Sequence, residues 1–236
     1  MSRRASQRLD GLTSPEAGRR VVAGAVLAVP LGSTEQHGPH LPLSTDTDVA
    51  VELARRLAAA RADVVVAPAV PYGASGEHAG FAGTLSIGEA ALELLVLELG
   101  RSATETFDRI VLVSAHGGNA GAVGHAVDRL RYEGRDVRLH QPRWQVDAHA
   151  GRTETSMLLA LRPDAVSIEH AVPGETRPLA ELMPALRSGG VRAVTATGIL
   201  GDPTGASAAE GERVLAGLAS DLVRDVDAWW PGRVDA

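Results

Sequence analysis

The stretch "AVLAVPLGSTEQHGPHLPLSTDTD", residues 25–48, decides the fold. It opens with an apolar run that predicts a buried strand, and it ends at the start of a helix predicted over residues 46–60. Between them lies a loop of Gly, Pro, Ser and Thr that also holds imidazoles and carboxylates. A continuous apolar strand that leads through a loop into a helix is typical of a parallel sheet with helices on both faces.

The same strand–loop–helix pattern repeats along the chain. Further strands are predicted in "DVVVAPAVPYG" (63–73), "RIVLVSAHGGN" (109–119), "DVRLHQPR" (136–143) and "VRAVTATG" (191–198). Helices are predicted over residues 87–106, 120–131, 153–163 and 206–230. This alternation predicts an α/β fold with a mostly parallel central sheet. Since no clear linker or internal repeat interrupts it, we expect residues 1–236 to form one domain, with residues 1–20 as a flexible N-terminus.

The composition excludes several classes of function. The formal net charge is −6 and the sequence contains no Lys, which argues against general nucleic-acid binding. The chain has no Cys, so disulfides, thiol nucleophiles and Cys-ligated metal sites are excluded. The N-terminus has no apolar segment after its Arg residues, and no apolar run approaches the ~20 residues of a membrane helix. We therefore expect a cytoplasmic protein without a membrane partner.

Two polar loops directly follow predicted strands. The first carries Glu35, His37 and Asp46, and the second carries His116. Glu35 and His37 are two residues apart, so in an extended segment their side chains point to the same side. Because ligands bind at the carboxyl ends of the strands in open α/β sheets, we expect both loops to contribute to one site.

A third segment adds His149 and, at the start of a predicted helix, Glu154. Imidazoles and carboxylates without thiolates suit Zn, Mn or Fe, and a pair of ions roughly 3.5–4 Å apart can activate a water and polarise a carbonyl. Each residue also has an ordinary structural explanation, because Asp46 and Glu154 can cap helices and His116 can stabilise its loop. The residues alone leave a metal site and these structural roles about equally supported.

Several motifs, spread over about residues 26–215 and in the same order, resemble the creatininase (creatinine amidohydrolase) family. They are "PLGSTEQHGPHLPLSTD" (30–46), "GEHAGFAGTLSIG" (76–88), "SAHGGN" (114–119), "HAGRTETSMLLALRPD" (149–164) and "GILGDPTGASAAEGE" (198–212). The resemblance implies a three-layer α/β/α fold, a dinuclear metal site and hydrolysis of non-standard or cyclic amides. It also implies a homo-oligomer, often a hexamer.

The resemblance further implies roles for individual residues. Glu35 and His37 would bind different metal ions, and Asp46 would bridge the two ions. His116 would join Glu35 on the first ion. His149 matches a histidine implicated in proton transfer in creatininases, so we expect it to act as a general acid and base.

The chain departs from creatininases at Gly118, where they have a metal-binding glutamate two residues after the histidine. We expect Glu154 to supply the missing ligand and to belong to the catalytic groups as well. The identity of the two divalent ions stays open between Fe, Zn and Mn. His40 and Asp48 are expected outside the ligand set, and the role of His78 is open.

The resemblance does not favour creatinine as the substrate. The aromatic residues that enclose creatinine are missing, because "SAHGGN" has no Tyr and "VDAHAG" (146–151) has no Trp. The motifs "GSTEQHGPHLPLSTDTD", "HAGRTETS" and "GDPTGASAAEG" are most similar to the mycofactocin-system branch of the family, whose peptidases trim a modified precursor peptide and release its C-terminal dipeptide. The alternatives are a formamide or cyclic-amide hydrolase in cofactor biosynthesis, and a non-catalytic binding protein on the same fold.

Overall fold

The computed structural model describes residues 7–143 and 147–231, and in these residues four strands form one parallel sheet. The strands are β1 (Val26–Leu31), β2 (Val64–Val66), β3 (Arg109–Ser114) and β4 (Asp136–His140), in the order β2-β1-β3-β4. The α-helices of the same residues are α1 (Ser14–Val22), α2 (Thr45–Ala60), α3 (Glu89–Ala103), α4 (Ala120–Tyr132), α5 (Arg152–Leu161), α6 (Leu179–Gly189) and α7 (Ala208–Trp229). Val26 pairs with Val64 on one side and Arg109 on the other, so β1 and β3 form the centre of the sheet.

The side chains of the strands enter two separate cores, because successive residues of a strand point to opposite faces. The strand residues packed against α2, α5 and α7 include Val26, Ala28, Val111 and Val113. Those packed against α3 and α4 include Leu27, Val29, Ile110 and Leu112. Helices thus cover both faces of the sheet, which confirms the predicted α/β architecture in three layers.

The strand predicted over residues 191–198 is wrong. The segment forms a 3₁₀ turn at Val191–Ala193 followed by irregular backbone, and Gly198 adopts a positive φ of 83°. Val191 is buried but Arg192 is exposed, and the segment pairs with no named strand among the described residues. The preceding α6 lies outside the predicted helices because Pro184 within it is a helix-breaking signal in sequence.

The buried face of α3 also differs from expectation. The sequence favours an apolar face formed by Leu92, Leu95, Leu97 and Leu99. In the structure Leu92 and Val96 are buried, whereas Leu95 and Leu99 are each 37% exposed. The core therefore follows the helical spacing of four from Leu92 to Val96, and part of the leucine-rich surface faces outward.

The N-terminal region is partly outside the described residues, which begin at Gln7. From there the chain is bound to the sheet, because Val66 N donates a hydrogen bond to Gln7 O at 2.7 Å. Residues 9–11 form a 3₁₀ turn and α1 already begins at Ser14. Across the described residues, no helix has the length and apolar character needed to cross a bilayer. That residues 1–236 form one domain stays a prediction.

The close crossing of α5 and α7 depends on Gly211, where an added Cβ would collide with the main-chain oxygen of Ser156. We expect Gly211→Ala to lower the free energy of unfolding by roughly 1–3 kcal/mol, because the two helix backbones must separate. Urea unfolding measures this change. Gly217→Ala, in the same helix with no atom within 4 Å of the added methyl group, is the matched control. It should raise the free energy of unfolding by about 0.5–1 kcal/mol, and equal effects of the two variants would contradict the prediction.

Candidate metal centre

The loops that follow β1, β2 and β3 meet at the carboxyl edge of the sheet, where Asn119 joins them. The Asn119 side-chain oxygen accepts a hydrogen bond from Ala74 N at 3.0 Å, and its nitrogen donates to Gly32 O at 3.0 Å. Asn119 is fully buried, so both bonds are shielded from water. Segments that are distant in sequence are thereby held in one arrangement around the site.

Glu35, Asp46 and His116 form a first group of side chains that could hold a metal ion. The His116 imidazole lies between the two carboxylates, with Nδ1 at 3.1 Å from Asp46 Oδ2 and Nε2 at 3.3 Å from Glu35 Oε2. Ser33 Oγ donates a hydrogen bond to Asp46 Oδ2 at 2.7 Å and so orients that carboxylate. Both Glu35 oxygens are buried without a hydrogen-bond partner. The structure thus brings together the group that the sequence predicts for the first ion.

His37, Glu154 and His149 form a second group. His37 Nε2, which is buried and has no hydrogen-bond partner, lies 3.4 Å from Asp46 Oδ1 and 3.9 Å from Glu154 Oε2. Asp46 therefore faces His37 with one oxygen and the first group with the other. Asp46 thus lies between the two groups, and the bridging role expected for it stays a prediction.

A strained turn places His149 and Glu154 together. Ala150 has a φ of 52°, in the left-handed region that a residue with a Cβ rarely adopts, and it is fully buried. In this conformation Ala150 N donates a hydrogen bond to Glu154 Oε2 at 2.6 Å. Asp147 Oδ2 accepts from Thr153 N at 3.0 Å and supports the start of α5. Glu154 consequently makes a cap-like bond and still faces the cluster.

His78 is a member of the cluster that the sequence reasoning leaves without a role. Its Nε2 atom lies 3.3 Å from Glu35 Oε1, and its ring centroid lies 4.4 Å from that of His149. Glu35, His78 and His149 form a third group with metal-ligand spacing. The sequence feature that could have identified His78 is the motif "GEHAG" in the loop after β2. This loop leaves the sheet at the same edge as the other two loops.

His40 and Asp48 lie outside these groups, in agreement with expectation. His40 Nε2 contacts Thr155 Oγ1 at 2.8 Å, which links the first loop to α5. The Asp48 carboxylate pairs with Arg162 at 2.6 Å. Both side chains therefore support the position of the helices around the cluster.

The carboxylates and imidazoles of the cluster shift the pKa values of one another. Burial, aided by the charge of Asp46, raises the pKa of Glu35 to about 7, and burial raises the pKa of Glu154 to about 7. Burial opposes charged His37 and His116, but Asp46 outweighs it and raises their pKa values to about 9 and about 10. Burial also acts against the Asp46 anion, yet the two imidazoles hold its pKa well below the usual range. These are protons that a divalent cation would replace.

Metal binding should therefore strengthen as the pH rises. A metal ion binds neutral imidazole, whereas His37 and His116 carry protons at neutral pH because their pKa values are raised to about 9 and about 10. We expect the affinity for Zn²⁺ to rise steadily from about pH 6 to about pH 9 as these protons are lost. Calorimetric titration in buffers of different ionisation enthalpy should show protons released on binding. An affinity that is independent of pH over this range would refute the expectation.

At Gly118, where the family resemblance predicts a glutamate ligand, the structure leaves little room for a side chain. An added Cβ would collide with Ala74 O and with the Glu77 carboxylate, and it would lie 2.5 Å from His116 Nε2. A glutamate at this position would require the β2 loop and His116 to move. The local backbone therefore disfavours a ligand at residue 118, and the third carboxylate of the cluster, after Glu35 and Asp46, is Glu154 of α5.

Gly118→Ala should lower both the stability of the protein and its affinity for metal. The contact with Ala74 O is with backbone, so we expect a loss of roughly 1–3 kcal/mol in the free energy of unfolding. Gly117→Ala is the matched control, because nothing lies within 4 Å of its added methyl group. Thermal unfolding of the two variants side by side decides the matter, and similar melting temperatures would show that the site tolerates a side chain at 118.

A cavity of about 1120 Å³ opens onto the cluster. Asp46, His116, His149 and Glu154 lie on its wall. The wall also includes the apolar residues Leu179, Leu182 and Leu200 and the basic residues Arg143, Arg152 and Arg177. The volume exceeds the roughly 300–1,000 Å³ of typical small-molecule pockets.

Known proteins share this sequence pattern. The creatinine amidohydrolase (Creatininase) family profile matches residues 10–226. The "Mycofactocin precursor peptide peptidase" of Mycolicibacterium smegmatis is 56% identical over 216 residues, which cover 88% of this chain and 87% of that protein.

Solved structures share the fold over nearly the whole chain. A crystal structure of creatinine amidohydrolase (creatininase) has a TM-score of 0.83 at 28% identity, and covers 97% of this chain and 99% of its own. A structure described as "Creatininase Mn" has a TM-score of 0.82 at 26% identity, with 96% and 99% covered. The chain therefore belongs to the creatininase (creatinine amidohydrolase) family of metal-dependent hydrolases.

Proposed function

We propose that this hydrolase is a metal-dependent peptidase that cleaves an amide bond of a modified precursor peptide and releases its C-terminal dipeptide, in mycofactocin biosynthesis. The substrate class follows from the mycofactocin peptidase that is 56% identical to this chain. The structural observation that carries the proposal is the cavity of about 1120 Å³ next to the His and carboxylate cluster. Its size suits a peptide better than a small cyclic amide.

Two divalent ions fit the donor set. The Glu35 oxygens and His37 Nε2 are buried without hydrogen-bond partners, a condition that polar atoms in protein interiors rarely show without a ligand. Glu35, Asp46 and His116 would hold one ion, and His37, Asp46 and Glu154 the other. Zn, Mn and Fe all accept these ligands. Bound ions would supply Lewis-acid polarisation of the attacked carbonyl and a water of lowered pKa.

His149 is the group that we assign to proton transfer. Its side chain lies on the cavity wall, with its ring centroid 4.3 Å from that of His37. Burial lowers the pKa of His149 and keeps the imidazole neutral, which is the form that accepts a proton. Protonated His149 would then pass the proton to the leaving amine. The hydrogen bond from Ala150 N keeps the Glu154 carboxylate near the His149 imidazole.

The cavity wall offers contacts for a peptide. Among its apolar residues Leu179 is 47% exposed and offers a surface for a side chain, whereas Leu182 and Leu200 are nearly buried. Arg143 and Arg177 also line the cavity; Arg177 pairs with Glu175 at 2.7 Å, and a guanidinium group has further N–H donors that can bind carbonyl and carboxylate oxygens. A peptide held at both kinds of surface would have its backbone placed across the cluster.

The proposal extends to a cytoplasmic homo-oligomer, with a hexamer as the assembly that the resemblance implies. Leu94 of α3 is 58% exposed and its neighbours Leu95 and Leu99 are each 37% exposed, so α3 offers an apolar surface for contact between subunits. Light scattering coupled to size-exclusion chromatography measures the mass in solution.

Incubation of the metal-loaded protein with the modified precursor peptide, followed by mass spectrometry, tests the activity. We expect cleavage to depend on Zn, Mn or Fe, and to be abolished in Glu35→Ala and His116→Ala. His125→Ala is the matched control, because His125 lies on the surface beside Glu93 and away from the cluster. Full cleavage by metal-free protein would refute the proposal. Hydrolysis of formamides or cyclic amides, with the peptide left intact, would favour that alternative instead.

A further inference from the structure

The side chain of Gln36 lies between two imidazoles of the cluster. Gln36 is 5% exposed, and its Nε2 atom lies 2.8 Å from His78 Nδ1 and 3.0 Å from His149 Nε2. The same atom lies 3.1 Å from Gly198 O. The family resemblance gives no role to this amide. Its contacts allow the protons on both rings to be placed.

Two backbone groups fix the orientation of the Gln36 amide. Gly38 N can only donate a hydrogen bond, so the amide atom 2.9 Å away must be the oxygen Oε1. Gly198 O can only accept, so the amide atom that it contacts must be the nitrogen Nε2. Both contacts require the same orientation. Gly198 must also lack a side chain, because an added Cβ would collide with Gln36 Oε1.

The two hydrogens of the Gln36 amide nitrogen then have defined acceptors. One hydrogen goes to Gly198 O and the other to His78 Nδ1, which is the nearer of the two imidazole nitrogens. His78 Nδ1 therefore holds a lone pair and the ring carries its hydrogen on Nε2. That N–H faces Glu35 Oε1 at 3.3 Å.

The position of the hydrogen on the His149 ring follows from the same assignment of the two amide hydrogens. No amide hydrogen remains for His149 Nε2, which lies 2.8 Å from the main-chain oxygen of Gln36. This oxygen only accepts, so His149 Nε2 carries a hydrogen and donates it. The lone pair of His149 is consequently on Nδ1, the ring nitrogen that lies 3.8 Å from Glu35 Oε1.

We propose that Gln36 is a positioning residue that sets the tautomers of His78 and His149. Its side chain places a hydrogen of His78, rather than a lone pair, opposite the Glu35 carboxylate. Its amide and main-chain oxygen together leave the Nδ1 lone pair of His149 facing the cluster. His78 in turn faces Glu35, a proposed ligand, and the loss of such an outer contact commonly lowers metal affinity by about 10–100-fold.

Gln36→Glu tests the proposal with little change in size. A carboxylate has no N–H to offer His78 Nδ1, so Nδ1 should gain a hydrogen and donate it to the new carboxylate. Magic-angle-spinning ¹⁵N NMR of the zinc-loaded full chain, labelled at histidine, distinguishes these forms; His78→Asn and His149→Asn assign the two signals. Chelator competition measures Zn²⁺ affinity, which should fall by about tenfold or more in Gln36→Glu.

Gln141→Glu is the matched control, since it makes the same change of charge on the cavity wall without contacting either imidazole. It should leave both tautomers as in the parent protein. A parent spectrum with hydrogen on His78 Nδ1 overturns the proposal. So does a Gln36→Glu variant that loses Zn²⁺ affinity without a change in the His78 signal. The inference rests on the proposed metal centre for the zinc loading and for the affinity readout; it uses no peptide substrate, so its failure is distinguishable from that of the proposed function.

Discussion

Asp46→Ala should remove both metal ions and lower peptide cleavage by on the order of 10³-fold or more. Asp46 faces His116 Nδ1 with one oxygen at 3.1 Å and His37 Nε2 with the other at 3.4 Å, so its loss opens both ligand groups at once. Loss of metal-ion stabilisation amounts to several kcal/mol of activation free energy, and each 1.36 kcal/mol corresponds to about a tenfold change in rate. Inductively coupled plasma mass spectrometry gives the metal content per chain, and the peptide assay gives the rate.

Asp48→Ala is the control for this variant. It removes the same functional group from the same first turn of α2, but Asp48 pairs with Arg162 rather than with the cluster. Two metals per chain and near-parent cleavage are expected for Asp48→Ala. If Asp46→Ala keeps one metal, the bridging position is wrong, and each ion has its own ligands.

Glu154→Gln should leave one metal per chain and lower cleavage by on the order of 10²-fold or more, because the second ion then lacks its carboxylate. The glutamine oxygen can still accept the hydrogen bond from Ala150 N, so the turn before α5 keeps its bond. The variant therefore separates the ligand role of Glu154 from its cap-like role. Metal analysis after dialysis against buffer with a weak chelator measures the stoichiometry.

Glu77→Gln tests whether Glu77, the carboxylate next to Gly118, is a metal ligand in place of Glu154. Glu77 Oε1 lies 3.8 Å from His116 Nε2, and its side chain is 36% exposed, compared with 5% for Glu154. We expect Glu77→Gln to retain both ions, since water weakens the charge interactions of a partly exposed carboxylate. Loss of an ion in Glu77→Gln together with full occupancy in Glu154→Gln would transfer the ligand role to Glu77.

Most of the fold can be predicted from local patterns in the sequence. The strands β1 and β3 are continuous apolar runs that end in polar loops, so both their burial and the edge that holds their loops are readable from sequence. The segment over residues 191–198 shows the limit of this reasoning. Its Val and Thr residues have β propensity, but a strand also needs a neighbouring strand, and that neighbour is a property of the whole fold.

Some residues of the candidate site could likewise be predicted from sequence, and others could not. Glu35, His37 and His116 follow strands directly, and the sheet edge brings them together. His78 instead reaches the cluster through a short 3₁₀ turn in the long connection between β2 and α3, a path that no periodicity predicts. The role of Gln36 depends on where Gly198 lies in space, 162 residues away along the chain, which sequence spacing does not reveal.

The Asn119 bonds also lead to an expectation about folding during synthesis. They connect residues 45 and 87 positions apart, so we expect the first loop to acquire its final shape only after β3 has been synthesised and paired with β1. A growing chain that ends before β3 already contains Glu35, His37 and Asp46, but they are not yet arranged as ligands. We therefore expect metal binding to follow folding, unlike in zinc fingers, where the ion holds an otherwise unfolded chain together. A chain stripped of metal should accordingly stay folded and ready to be reloaded.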